Sequence, residues 1–326
     1  MQPHISRLAR RHEFYLILIV VVFAVFMTIL DPAFLSLERL FDLLHSSSTI
    51  GVLAAGVLLV MISGGIDVSF SAIAAVSMYV TVFLLNALGG SMVIAFLIAC
   101  LIGGVLGLVN AGVISYFNIP TLIVTLATSN IFYGLLLQLA PRAHITSVPP
   151  FLAAFGKSYV IVVAKSGGKI IGLSAIAFTM MAALVLVAIM LRYLSVGRNV
   201  FAIGGGREAA KREGISVWKT QFFVYCAAGI LAGVAAVLNA SLIRYVNPFN
   251  VYGLTLDVIA AVVLGGARLT GGAGTVLGTF LGVAILFLIK NNLILMGVPS
   301  TWDSLIVGLI IVASVTITVF RKRPAL

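Results

Sequence analysis

The sequence predicts an all-α fold, a polytopic transmembrane helix bundle of about ten spans, each built from about 20 apolar residues. Three observations carry that prediction. The first is composition: of 326 residues, 62% are hydrophobic and 9% charged, where a soluble domain carries roughly a quarter charged residues. Nine acids and twenty bases are too few to cover a core of that size, so lipid must form the outer surface. The second is segmentation. Apolar runs separated by Gly, Pro, Asn or charge fall at 14–30, 48–62, 67–88, 91–115, 120–140, 173–194, 220–241, 254–267, 274–290 and 302–320. The third is the distribution of bases. With both termini cytoplasmic, thirteen bases lie inside, among them Arg7, Arg10, Arg11, Arg198, Arg207, Lys211, Arg212, Lys219, Arg321, Lys322 and Arg323. Seven lie outside: Arg39, Arg142, Lys157, Lys165, Lys169, Arg244 and Lys290. That asymmetry follows the positive-inside rule. A net charge of +11 distributed over loop ends is a topology signal, and no nucleic-acid partner is expected.

The elements follow in order. Residues 1–13 form a cytoplasmic basic head, and 14–30 is a retained first helix, too long for a signal-peptide core and without a small-residue cleavage site. The runs at 48–62 and 254–267 are too short to cross about 30 Å as straight helices. They must be buried among neighbours or continue into their flanking glycine segments. Both precede a break: Ser63-Gly64-Gly65-Ile66-Asp67 after the first, Gly265-Gly266 through Gly274 after the second. Two halves derived from a duplicated unit would leave such a pair, a plan used by transporters, although glycine pairs also arise from helix packing alone. Residues 141–172 read as a long periplasmic loop. Residues 195–219 are the most polar stretch, with a short cytoplasmic helix at Arg207–Glu213 bounded by Gly206 and Gly214. The whole chain, 1–326, reads as one transmembrane domain.

Several chemistries are excluded. Cys100 and Cys226 fall inside apolar runs without metal or redox spacing, and His4, His12, His45 and His144 have no partner at ligand spacing. No metal site, carboxylate pair or nucleophile–base constellation is visible, so the chain is not expected to be an enzyme.

The polar stretch Gly204 to Ser216 (GGGREAAKREGIS) is similar to the cytoplasmic coupling segment of the ribose-type permeases of ATP-binding-cassette importers. Three further segments match that family in order. Ile62–Ser69 (ISGGIDVS) resembles its Gly-Gly-Ile-Asp signature, Asn118–Leu126 (NIPTLIVTL) its Ile-Pro-containing segment, and Leu256–Gly266 (LDVIAAVVLGG) its Leu-Asp segment. Departures occur at Ala127-Thr128-Ser129-Asn130, where the family often carries a small pair, and in 141–172, which matches no sugar-family pattern; both bear on substrate more than on mechanism.

The resemblance implies a permease subunit in a multi-pass topology of the bacterial cytoplasmic (inner) membrane, translocating a monosaccharide or similar small polyhydroxylated solute. It implies a second permease subunit, identical or paralogous, two cytoplasmic ATP-binding subunits, and a periplasmic or lipid-anchored substrate-binding protein. The chain contains no GxxxxGK[ST] P-loop; it needs no cofactor of its own, ATP being used by the partner subunits. Gly204, Arg207, Glu208, Ala209, Lys211 and Gly214 would form the ATPase-coupling loop, where Ala209 keeps the helix slim and the charges face a soluble partner; a plain topology-anchoring loop is the alternative.

Polar groups inside the membrane are costly and supply the remaining candidates. Gly64, Gly65, Gly265 and Gly266 are structural or gating positions. Asp67 is expected to cap the next helix, with a ligand role as the alternative. Asp257 could cap its helix, pair with Arg244 or line the pathway. Thr125, Ser129 and Tyr133 share one face at i, i+4, i+8 spacing and, with Asn130 and Asn239, form the expected substrate path; interhelical hydrogen bonding is the competing reading for these residues and for Asn110. An uncharged polar lining suits a neutral sugar. A different class, an ion-coupled secondary solute carrier, would use Asp67 or Asp257 as coupling groups and work alone.

Overall fold

The computed structural model describes residues 12–140, 144–166, 169–295, 299–303, 305–309 and 312. Helices α1 (His12–Leu30), α2 (Leu37–Ser46), α3 (Ser48–Ile62), α4 (Phe70–Leu88), α5 (Met92–Phe117) and α6 (Thr121–Leu139) come first. Helix α7 (Pro150–Lys157) and strands β1 (Tyr159–Ser166) and β2 (Lys169–Ser174) follow. The rest is α8 (Ala175–Tyr193), α9 (Ser195–Gly205), α10 (Arg207–Arg212), α11 (Val217–Ile243), α12 (Pro248–Tyr252), α13 (Thr255–Leu264) and α14 (Val276–Leu295). The all-α class holds; most of the basic head and most of the 302–320 span lie outside the described residues.

Sequence chemistry sets the helix ends. Ser91, Ser174 and Ser216 accept hydrogen bonds from the backbone N–H of Ile94, Ala177 and Lys219, starting α5, α8 and α11, as short hydroxylated side chains do at N-caps. At the other end, α5 stops at Asn118 and α11 at Arg244, both in the left-handed region with φ of 53° and 59°.

Five helices, α4, α5, α6, α8 and α11, are long and apolar enough to cross a membrane. The bent pair α2–α3, angled by 54°, makes a sixth. The apolar stretches Glu13–Ile29, Pro248–Leu264 and Val276–Asn292 are shorter, so the described residues establish five or six candidate spans where the apolar runs predict ten. Part of the difference is local: the run at 48–62 is continued by α2 at a bend rather than in line, and most of the 302–320 run lies outside the described residues.

The centre is α3, every residue of which is buried, packed against α11, α13, α14 and α8. Helix α11 packs most extensively on α5. Cβ atoms built on Gly103, Gly107, Gly229 and Gly233 would collide with the backbones of Gly229, Tyr225, Gly103 and Ala99 respectively. Two small-residue rows at four-residue spacing therefore bring the backbones into contact, the usual means of joining helices where lipid removes the hydrophobic driving force. The opposite face of α5 exposes Leu97, Leu101 and Val105, a surface suited to lipid.

The stretch 141–172 is not a plain loop. It holds α7 and an antiparallel hairpin in which Tyr159 pairs with Ser174 and Ser166 with Lys169. The β-branched run Val160-Ile161-Val162-Val163 is the strand signal, and it is short enough to pass as apolar loop when only helical spans are sought.

Candidate functional site

The two glycine breaks end their helices in the same way. After α3, the N–H of Gly65 donates to the Val60 carbonyl (3.1 Å) and that of Gly64 to Met61 (3.0 Å). After α13, Ala267 donates to Val262 (3.2 Å) and Gly266 to Val263 (2.9 Å). Both are Schellman caps, with Gly64 at φ 84° and Gly266 at φ 90°, the conformation that glycine adopts without strain. The companion glycines serve close approach instead: a Cβ on Gly65 would stand 2.9 Å from the Tyr225 hydroxyl, and one on Gly265 would stand 2.6 Å from the Gly278 carbonyl oxygen.

A break inside an apolar bundle strands backbone polar groups, which must find partners within the protein. Helix α6 supplies them from one face. Ile66 N–H donates to Thr121 Oγ1 (3.0 Å) and Val68 N–H to Thr125 Oγ1 (3.4 Å); Thr125 donates to the Ile66 carbonyl (3.1 Å) and Ser129 to that of Val68 (3.4 Å). The shared face expected of Thr125 and Ser129 is present, extended one turn by Thr121, which sequence reasoning missed although the four-residue period marks it. Their hydroxyls are engaged by the break, as interhelical bonding would have it. Asn130 lies on the exposed face, its amide donating to the Leu126 carbonyl (2.9 Å). Tyr133 stacks on Tyr252 with ring centroids 4.1 Å apart, a partner without a sequence signal. Asn239 is buried in α11.

Asp67 is 2% exposed. Its Oδ1 accepts from the N–H of Ser69 (2.7 Å) and from the Ser69 hydroxyl (2.6 Å), and that hydroxyl accepts from Asn110 Nδ2 (2.7 Å). The carboxylate thus organises the turn leading into α4 and ties it to α5, acting two residues before the N-cap Ser69, which makes no side-chain cap bond of its own. Asp257 does not pair with Arg244. Its partner is Lys290 of α14 at 2.7 Å, with Asp303 also 3.9 Å from the ammonium. Lys290, read from the sequence as an outer base, lies on the helix packed against α13, within reach of the first turn where Asp257 sits.

The polar segment consists of two helices, α9 and α10, rather than one. Glu208 accepts from Lys211 at 2.8 Å on an exposed surface. The hydrogen bond and then the charge of Lys211 hold the Glu208 carboxyl below the usual range, Arg207 adding to the effect. Arg207 donates to Gln221 Oε1 (3.1 Å), which also accepts from Ser115 (3.3 Å), anchoring α10 to α11 and α5. Ala209 and Lys211 are exposed and Ala210 is buried, so α10 seats a small side chain and presents its charged face outward. Gly214, at φ 77°, turns the chain toward α11 with open space around its Cα.

A broken helix held by neighbouring hydroxyls, a buried bundle core and an exposed charged segment between two long helices describe a polytopic helical bundle of the membrane type. The chain belongs to the family described as the branched-chain amino acid transport system / permease component, whose model matches residues 39–315. It is 33% identical to the ribose import permease protein of Bacillus subtilis, over 93% of this chain and 91% of that one. It is 30% identical to the autoinducer 2 import system permease protein of Photorhabdus luminescens (88% and 83%). It is also 33% identical to the L-arabinose ABC transporter permease protein of Azospirillum brasilense (94% and 88%). No solved structure matches the chain.

Proposed function

We propose that this chain is the membrane-spanning subunit of an ATP-driven importer for a monosaccharide or a comparable small, neutral, polyhydroxylated solute. It would work in the bacterial cytoplasmic membrane with a second permease subunit, two ATP-hydrolysing subunits and an extracytoplasmic binding protein. The carrying observation is the exposed charged face of α10, anchored through Arg207 and Gln221 to the longest helix of the bundle. Likeness to ribose, arabinose and autoinducer 2 permeases supports the solute class. In this reading α9 and α10 face the ATPases, both termini lie on the same side, and the chain crosses about ten times when α1, α12–α13, α14 and a final span are counted. The matching Schellman caps, one after α3 and one after α13, support two halves of common origin. Of the proposed lining, Tyr133 and Asn239 stay, with Tyr252 added by its stacking on Tyr133; the hydroxyls of Thr125 and Ser129 are taken by the break, and Asn130 lies on the exposed face of α6.

The test is replacement at the coupling surface. Glu208→Arg combined with Ala209→Trp, both at exposed positions of α10, should leave the subunit folded in the membrane and uptake at least tenfold lower, with ATP hydrolysis no longer stimulated by the loaded binding protein. Wild-type uptake by the double variant would sink the assignment.

A further inference from the structure

We propose that α9 is joined to both broken helices at one glycine junction, so that its C-terminal turn, the end of α3 and the loop after α13 move as a single body, with Gly204 as the positioning residue. The proposal rests on the reading of α9–α10 as the ATPase-facing element and says where its displacement goes.

Three stretches far apart in sequence meet there. The N–H of Gly272 donates to the Ile62 carbonyl at the end of α3 (2.9 Å). A Cβ on Gly204 would fall within the radius of that same carbonyl oxygen and 2.5 Å from the Gly272 nitrogen. A Cβ on Gly271 would stand 2.6 Å from Gly64 Cα and 2.8 Å from the Gly204 carbonyl oxygen. A Cβ on Gly272 would stand 3.1 Å from Gly205 Cα. Backbone therefore meets backbone three ways, with no side chain between to change rotamer and absorb a shift, and close-packed contacts of this kind transmit displacement. Gly271 and Gly272 hold φ of 86° and 74°, so the loop reaches this position only with glycine.

A second tie runs beside the first. Arg207 holds Gln221, and one turn along α11 from Gln221 the Tyr225 hydroxyl stands at Gly65. Both ends of the Gly206 joint are thus linked to the first break. The immediate neighbour is a natural control: a Cβ on Gly205 would meet nothing within 4 Å.

The experiment uses the whole importer in proteoliposomes, with a radiolabelled pentose that the wild-type complex takes up. Gly204→Ala should lose at least tenfold in uptake per assembled complex, while Gly205→Ala stays within twofold. Equal uptake by the two variants overturns the proposal. Spin labels at Gly205→Cys and Leu269→Cys, both exposed positions, in a background with Cys100 and Cys226 replaced by Ala, give a reading that does not depend on Gly204→Ala folding. A single rigid body predicts the same label-to-label distance distribution in the nucleotide-free and ATP-bound complexes. A distribution that shifts between the two states overturns it. Uptake by the wild-type complex without its ATPases would instead remove the reading on which the proposal rests, and the two failures are distinguishable.

Discussion

Asp67 sits where a helix start, a broken backbone and an apolar interior coincide, and its Oδ1 satisfies both polar groups of Ser69. Removing the acceptor while leaving the donors buried costs about 1–3 kcal/mol per group. Asp67→Ala should therefore lower the thermal midpoint of the purified subunit markedly. Asp67→Asn, whose side-chain oxygen can still accept both bonds, should stay close to wild type; equal losses in the two variants would show that the charge, not the acceptor geometry, holds the turn. Asp257 and Lys290 pose a different question. Their side chains are 16% and 21% exposed, between the exposed pairs that contribute little and the buried pairs whose breakage is costly. Single replacement of either by Ala should destabilise by about 1–3 kcal/mol on that scale. Asp257→Lys with Lys290→Asp should recover part of the loss, measured as a double-mutant cycle of thermal midpoints. Asp67 stood out in the sequence as a lone acid after a glycine pair, but its partner Ser69 did not. Lys290 was not: it falls at a run end, where hydropathy assigns a base to the nearest loop.

At the scale of elements, the α5–α11 seam depends on the absence of side chains at Gly103, Gly107, Gly229 and Gly233. Gly229→Leu would force the Gly103 backbone away, and overpacking of this kind costs about 1–3 kcal/mol or more. It should reduce the folded yield in membranes, measured by size-exclusion profile in detergent. Gly112→Ala on the same helix α5 meets nothing within 4 Å and should be neutral or stabilising by up to about 1 kcal/mol, the helix-propensity gain of Ala over Gly. The four-residue spacing of these glycines is visible in the sequence, but which helices it joins is not, because spacing marks a face and leaves its partner open. The positions of α4, α5, α6, α8 and α11 were readable to within a few residues, since apolar length is dictated by lipid. The hairpin at 159–174 and the division of the 195–212 segment into α9 and α10 were not, because short strands and glycine-jointed helices leave weak periodic signals. The face of α6 was read correctly at Thr125 and Ser129, although what that face touches, the broken backbone at 66–68, depends on a contact between elements some sixty residues apart.

For the whole molecule, the two glycine breaks, distant in sequence, lie against each other and against the end of α9, so the mobile-looking points of the sequence form one structural centre. A binding event can shift a conformational equilibrium only by its differential affinity for the two states. In this account the states differ in how the α9–α10 surface sits against ATP-loaded and nucleotide-free partners, and the chain itself stores no fuel. An ion-coupled carrier of the same length would place that dependence in the membrane, on groups such as Asp67. The most direct test is therefore initial uptake in proteoliposomes containing the permease, its ATPases and its binding protein, measured once with a hydrolysis-deficient ATPase and once with all ion gradients collapsed by ionophores. Uptake should be abolished in the first case and persist in the second. Uptake that survives the inactive ATPase and vanishes with the gradient would contradict ATP-driven import.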